Sequence, residues 1–220
     1  MLFSRKASED DTVVEILASA LRRDISFGVL RPDEKLKIEA LRQRYGGSNH
    51  SMRETLRTLV AEGMVEATNQ RGFRVTSATQ EDLHDILMMR IEIEKIALAR
   101  SLELGRVEWE ALVIAAQHRI ARADAEVQSD PSDSSALEWD EACRLFSTSL
   151  ISACASPRLL DTAAKFHNQS RRFRLAALRE GRIDFDIRLQ TQAALKNAVI
   201  ARNKASALDL LETSIRADMS

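Results

Sequence analysis

Residues 48–75, SNHSMRETLRTLVAEGMVEATNQRGFRV, constrain the fold more than any other stretch, because a helical period gives way within them to a short two-strand pattern. Met52, Leu56, Leu59 and Val60 fall at i, i+4, i+7 and i+8, one apolar stripe that must be buried against other helices. Asn49, His50, Arg53 and Arg57 are left on the other side. Ser48 is placed to cap this helix, whose N-terminus offers unpaired amides and a positive dipole end to a phosphate. Downstream, residues 64–68 and 73–76 are β-prone runs separated by Asn69, Gln70, Arg71 and Gly72, the composition of a hairpin turn. Arg71 and Arg74 would ride on that wing.

Upstream, Thr12 and Glu15 make a capping-box pair, and Val14, Leu17, Leu21 and Ile25 carry a helical stripe that Phe27, Gly28 and Pro32 end. A second short helix is expected from about residue 38 to 45, with Ile38, Leu41 and Tyr45 spaced for burial. Gly46 and Gly47 then supply a tight turn with positive φ available. Helix, turn, helix and wing occur in order within one small domain, residues 1–77, the pattern of a winged helix-turn-helix that binds double-stranded DNA.

These residues also carry a resemblance. FGVLRPDEKL resembles the "G-x-L-x-P-G-x-x-L" turn of the GntR family of bacterial transcription regulators, and SMRETLRTLVAEGMV resembles its "P-V-R-E-A-L-x-x-L-x-x-E-G-L-V". The resemblance implies that Ser48, Asn49, Ser51 and Arg53 contact operator DNA and that Gly72 lies at the wing tip. Asn49 stands where the family commonly has arginine, Glu39 where it often has a basic residue, Ser51 replaces proline and Asp33 replaces the turn glycine. The change at Asn49 bears on which sequence is read, since arginine pairs with guanine and asparagine prefers adenine.

Composition fits a cytoplasmic regulator of two modest domains: 220 residues, 45% hydrophobic, no apolar run long enough for a membrane span and no visible signal peptide. Cys143 and Cys154, 11 residues apart on one expected helix, are too far separated to bond to each other, and reduced thiols are the natural reading. Residues 1–77 hold 13 Lys and Arg against 11 Asp and Glu, and the remainder 19 against 22. The mild basic excess therefore sits on the DNA-binding side.

Residues 78–220 read as an antiparallel bundle of six or seven helices, the first capped by Thr79 and running from 80 to about 104. A polar loop at 128–135 separates two of them. Arg90 is out of place on its helix, because it shares a stripe with Leu83, Ile86, Leu87, Ile93 and Ala97, and a charge there needs a partner. Glu94, one turn on, or a snorkelling side chain would answer that need within the chain; the alternative is that Arg90 holds the carboxylate of an effector in a central cavity by a two-pronged hydrogen bond.

A second resemblance bears on the cavity. DILMMRIEIEKIALARSLE, RLFSTSLISACASPRLL and LKNAVIARNKASALDLLETSI resemble the "VRxxLExxAAxLAA", "DxxFHxxLxxAxxNxxL" and "IxxAIxxRDxxxAxxxLxxHI" segments of the ligand-binding (FCD) domain in the fatty-acid-regulator branch of that family. In many members of this branch an aspartate and three histidines hold a divalent metal inside the bundle. Here the matching positions are Cys143, Ser147, Gln192 and Ser214, and Ser and Gln are poor zinc partners, so no metal or other cofactor is expected. The four positions still lie on inward stripes, where small polar groups either bond an organic ligand directly or simply pack. A metal-free branch of the family senses acyl-coenzyme A, so loss of the metal does not imply an empty pocket. In related proteins a segment like the polar run 167–174 faces the pocket, so the resemblance implies Asn168 and Arg172 as further candidates for anion contacts, the alternative being a solvated charged face.

The expected function is a ligand-responsive transcription regulator, a repressor, binding a palindromic operator as a homodimer, with a small organic acid or acyl thioester as effector. The alternative is an enzyme whose helical domain is tethered to DNA by the N-terminal module. Neither an activated nucleophile nor paired carboxylates nor an intact metal site is visible to support it.

Overall fold

A computed structural model describes residues 9–68 and 72–217, and the chain divides after Thr79 into two compact units. The first begins with α1 (Glu9–Ser26), β1 (Lys35–Leu36), α2 (Ile38–Tyr45) and α3 (Asn49–Ala61), and closes with the hairpin β2 (Val65–Thr68) and β3 (Gly72–Val75). Leu17, Leu21 and Ile25 of α1 meet Leu41 of α2 and Met52, Leu56 and Leu59 of α3 in one core, sealed by Met64, Val65 and Val75. Burying that many aliphatic side chains, at roughly 1.5–3 kcal/mol each, is what holds so small a unit together.

Two details depart from expectation. Residues 9–12 are already helical, so Thr12 stands inside α1 instead of capping it. The sheet has three strands in the order β1-β3-β2, all antiparallel, with Lys35 opposite Arg74 and Leu36 opposite Phe73. A two-residue strand offers no alternation to read; β1 forms because Leu36 is buried in the core and its neighbours find the free edge of β3. Asp33, at the position of the family's turn glycine, keeps the left-handed backbone (φ 63°), which aspartate tolerates better than most residues. Its amide donates to the Val75 carbonyl at 3.1 Å.

Polar contacts fasten the helices. Arg22 of α1 makes a two-pronged bond to Glu62 just past α3, at 2.9 and 2.7 Å. Buried Asp24 accepts from the Tyr45 hydroxyl at 2.6 Å and from Arg44 at 3.0 Å, so Tyr45 serves as a hydrogen-bond donor as well as a packing residue.

The second unit holds six helices among the described residues: α4 (Gln80–Leu104), α5 (Val107–Ser129), α6 (Asp133–Ile151), α7 (Pro157–Arg179), α8 (Phe185–Ile200) and α9 (Lys204–Ala217). Helix α4 packs against α6, α7 and α9, while α5 packs against α6 and α8. The helix starts are chemically marked: Ser132 and Ser135 form a capping box, Ser156 caps α7 ahead of Pro157, and Asp184 caps α8. Helix α6 ends at Ile151, so Cys154 lies in the following turn and the two cysteines do not share a helix; both are buried and free. No described helix is long and apolar enough to cross a membrane.

The core of this unit is unusual in what it contains. Beside Trp139, Leu98, Ile120 and Leu150 lie three arginines, Arg90, Arg174 and Arg188, each no more than 2% exposed. Buried guanidiniums need buried partners, and these partners define the interior site.

Candidate nucleic-acid interface and effector cavity

The exposed face of α3 is set by its buried one. Because Met52, Leu56 and Leu59 must face the core, Asn49, Arg53 and Arg57, at i, i+4 and i+8, face outward with His50 beside them. Ser48 caps α3 by accepting from the Ser51 amide at 3.0 Å, and Ser51 Oγ returns the bond by accepting from the Ser48 amide at 2.8 Å. Ser51 is thereby buried, and its side chain belongs to the cap, not to the outer face. Arg57 is paired with Glu54, whereas Arg53 has no side-chain partner among the described residues. Arg42 of α2, which sequence reasoning passed over, donates to the Gly47 carbonyl at 3.1 Å and to Asn49 Oδ1 at 3.2 Å, and so orients the Asn49 amide.

In the wing, Gly72 opens β3 opposite Thr68. Arg71 falls outside the described residues. Arg74 is half-buried, and its Nη1 donates to the Asp33 carbonyl at 2.7 Å, so it ties the wing to the turn before β1 and does not project from the tip.

In the helical unit, Arg90, Cys143, Ser147, Gln192 and Ser214 come together around one small space, joined there by Glu94, Arg188 and apolar side chains such as Phe146 and Leu150. Its volume is about 10 Å³, room for about one water. Arg90 Nε donates to Glu94 Oε1 at 2.6 Å, and Ser147 Oγ donates to Glu94 Oε2 at 2.6 Å. Arg90 Nη2 reaches Ser147 Oγ at 3.5 Å, while Nη1 is buried with no partner among the described residues. Arg90 thus has its internal carboxylate in Glu94, and it also lines the cavity.

Arg188, also missed from the sequence, is held on all sides. It donates through Nε to Asp124 Oδ1 at 3.0 Å and through Nη2 to Cys143 Sγ at 3.0 Å. With the Gln192 amide turned so that its oxygen faces the guanidinium, Gln192 accepts from Nη2 and Nε at 3.1 and 3.0 Å. The Trp139 ring lies 5.0 Å below, and the Trp139 indole N–H donates to the same Asp124 oxygen at 2.7 Å. A legible signal existed, since Arg188, Gln192, Leu195 and Val199 fall at i, i+4, i+7 and i+11 on one stripe.

Asn168 and Arg172 do not join this cavity. Both are half-buried on α7, with Arg172 4.0 Å from Asp82. The inward face of α7 is instead His167, Ser170 and Arg174. Arg174 Nε donates to Asp140 Oδ1 at 3.0 Å, Nη1 lies 3.2 Å from Ser170 Oγ and Nη2 lies 3.1 Å from His167 Nε2. Arg171 pairs with the other Asp140 oxygen at 2.7 Å. Burial, followed by the nearby Arg174 guanidinium, holds the His167 pKa well below the ordinary imidazole value; His167 is neutral and its Nε2 accepts from Arg174.

The four positions that resemble a metal site do not suit a metal. Burial pushes the Cys143 thiol pKa up, against the opposing pull of Arg188 and Arg174, so the thiolate a metal requires is disfavoured. The Ser147 hydroxyl proton is directed to Glu94 and the Gln192 oxygen to Arg188. Among the described residues, no three His, Cys, Asp or Glu side chains gather as a metal would need.

A winged helix-turn-helix with a cationic outer helix, joined in one chain to an all-helical unit with a polar cavity, defines a class: transcription regulators in which one domain binds DNA and the other a small molecule. Residues 14–75 match the family described as "Bacterial regulatory proteins, gntR family", and residues 85–217 match the FCD domain. The chain is 32% identical over 209 residues, 95% of its length and 84% of the relative's, to the "Uncharacterized HTH-type transcriptional regulator BphR" of Paraburkholderia xenovorans. It is likewise 32% identical over 194 residues, 87% of each chain, to the "HTH-type transcriptional repressor GlaR" of Escherichia coli. Among solved structures, E. coli McbR/YncC shares the fold, with a TM-score of 0.72 at 20% identity over 93% of each chain. The chain belongs to the GntR family of DNA-binding transcription regulators, with an FCD domain. Its families and these relatives are described as transcription regulators, which gives the tethered-enzyme alternative no support.

Proposed function

We propose that this regulator is a repressor that binds a palindromic operator as a homodimer and responds to a small organic acid or acyl thioester received in the cavity at Arg90. The observation that carries the effector reading is the convergence of Arg90, Cys143, Ser147, Gln192 and Ser214, drawn from α4, α6, α8 and α9, on one small space among apolar side chains of the core. Because that space is closed to about 10 Å³, an effector can enter only by moving helices apart. Binding is thereby coupled to a change of conformation, the condition for a ligand to bias two states. The repressor role is in keeping with the name of the E. coli relative. DNA contact is assigned to Ser48, Asn49, His50, Arg53 and Arg57, with Arg71 and Gly72 on the wing and Ser51 fixing the cap.

Two measurements test the reading. EDTA-treated protein is melted with a panel of small carboxylic acids and acyl-coenzyme A thioesters; a ligand of the native state must raise the melting temperature, and no response to any member of the panel refutes the effector assignment. For DNA, Arg53→Ala is expected to cost about 1–3 kcal/mol at the preferred operator and to relax sequence preference. Unchanged preference sinks α3 as the reading helix.

A further inference from the structure

The resemblance that assigns Cys143, Ser147, Gln192 and Ser214 to metal-ligand positions leaves a question that the structure answers: what supplies positive charge at the centre of the bundle. Two of the four side chains, Cys143 and Gln192, are bonded directly to Arg188, and the other two line the same cavity. The guanidinium also has what a bound cation would require, a buried carboxylate (Asp124, 3.0 Å) and an aromatic face (Trp139, 5.0 Å). We propose that Arg188 is the resident cation of this cavity: its guanidinium stands where the family's resemblance seats a divalent ion, and it makes the cavity a receptor for an organic carboxylate that needs no metal.

Three observations support this. The space left is about 10 Å³, so an ion with any retained water would have to displace the guanidinium. The donors of the four positions are a thiol already bonded to Arg188, two hydroxyls and an amide whose oxygen faces Arg188, and the carboxylate that also lines the space, Glu94, is engaged by Arg90 and Ser147; this is a poor set for a divalent ion held beside two guanidiniums. Cys143 and Ser147, the contacts of Arg188 and Arg90, are one turn apart on α6, which places two planar N–H forks on neighbouring turns. Arg188 Nε and Nη2 are engaged by Asp124, Cys143 and Gln192, so Arg188 supplies the fixed charge, and the fork that can meet a carboxylate directly, the task a metal ion would otherwise perform, is that of Arg90. Arg90 Nη1, buried and without a partner among the described residues, is the donor available to it. The carboxylate part of this inference rests on the effector reading above.

The test uses the full-length chain. Protein purified without chelator is assayed for bound zinc and nickel, and melted with and without each ion; the expected result is far less than one metal per chain and no shift. Arg188→Ala is then melted against ethylguanidinium chloride at millimolar concentration, with ethylammonium chloride as the control. The expected result is a large loss of melting temperature that ethylguanidinium, and not ethylammonium, recovers saturably; if the variant is unfolded at room temperature, recovery is read as ethylguanidinium-dependent refolding. One zinc per chain in the unsubstituted protein, or no recovery by ethylguanidinium, overturns the inference. A carboxylate that stabilises the protein only after zinc is returned also overturns it, while leaving the effector reading in place. Exclusion of metals with rescue of Arg188→Ala, but no response to any carboxylate, upholds Arg188 as the resident cation and removes the effector reading instead.

Discussion

Asp124→Ala removes one carboxylate that serves two helices. Its Oδ1 accepts from Arg188 of α8 at 3.0 Å and from the Trp139 indole of α6 at 2.7 Å, and Asp124 is 3% exposed. Truncation leaves the Arg188 charge buried without its counter-ion, and breaking a buried pair in this way costs about 3–5 kcal/mol. The orphaned indole N–H adds about 1–3 kcal/mol in isolation, but the two losses share one site and do not sum. The expected total is therefore about 4 kcal/mol, which for a chain of this size lowers the melting temperature by roughly 8–16 °C at about 2–4 °C per kcal/mol. The assay is local by virtue of composition: the chain has two tryptophans, Trp109 and Trp139, both in the helical unit, so fluorescence during urea or thermal unfolding reports that unit alone. Asp124→Asn, which keeps an acceptor for Trp139 but no charge, is expected to lose less. A loss under about 1 kcal/mol for Asp124→Ala would refute the claim that this carboxylate neutralises Arg188 in the core.

His167 sets a pH dependence. Its folded-state pKa is depressed below the ordinary 6.5, so between the two values the unfolded chain binds a proton that the folded chain does not, and stability falls as pH drops below about 6.5, by up to about 1.4 kcal/mol per pH unit. Urea unfolding from pH 7.5 to 5 reads this slope, and His167→Gln is expected to flatten it; an unchanged slope assigns the dependence elsewhere. Gly47→Ala meets two obstacles, a φ of 82° and a new Cβ 2.9 Å from Leu17 Cδ1, and is expected to cost about 1–3 kcal/mol in the DNA-binding unit and to weaken operator binding by displacing the start of α3. Wild-type operator affinity in that variant would show that the turn accommodates the methyl group without moving the helix.

What the sequence disclosed and what it concealed divide along physical lines. Periodic burial was legible: the stripe Met52, Leu56, Leu59 orients α3, and the i, i+4 pair Cys143 and Ser147 faces inward as its spacing implied, the cavity itself being implied by the family resemblance. Strand β1 was not, because two residues carry no period and its existence depends on β3, more than thirty residues away. The interior charge network was hidden for the same reason. Arg188 meets Asp124 across 64 positions of chain, and Arg174 meets Asp140 across 34, so no local pattern predicts either pair. On α7 the difference is one of phase: Asn168 and Arg172 lie in a run, 167–174, in which only Phe173 is apolar, whereas the helix turns His167, Ser170 and Arg174 inward. When both faces of a helix are polar, spacing gives the pairs but not the face.

That network also bears on why the bundle is built this way. Three buried guanidiniums, each with a buried carboxylate from another turn or helix, are a poor device for stability, since apolar side chains of similar volume commonly hold a core as well or better. Their arrangement does something that leucines cannot. In the closed cavity the Glu94 carboxylate takes the Nε of Arg90 and the hydroxyl of Ser147, the groups that an incoming carboxylate would use. On the proposed reading a carboxylate effector would compete with Glu94 for these groups, meet Arg90 Nη1, which has no partner among the described residues, and have to open a space now limited to about 10 Å³. On that reading apparent affinity would be reduced by the fraction of molecules that are open, and the effector's preference for the open packing is what would shift the bundle toward it. A sensor with a spacious, preformed pocket would bind more tightly and move less; an internally paired one trades affinity for response.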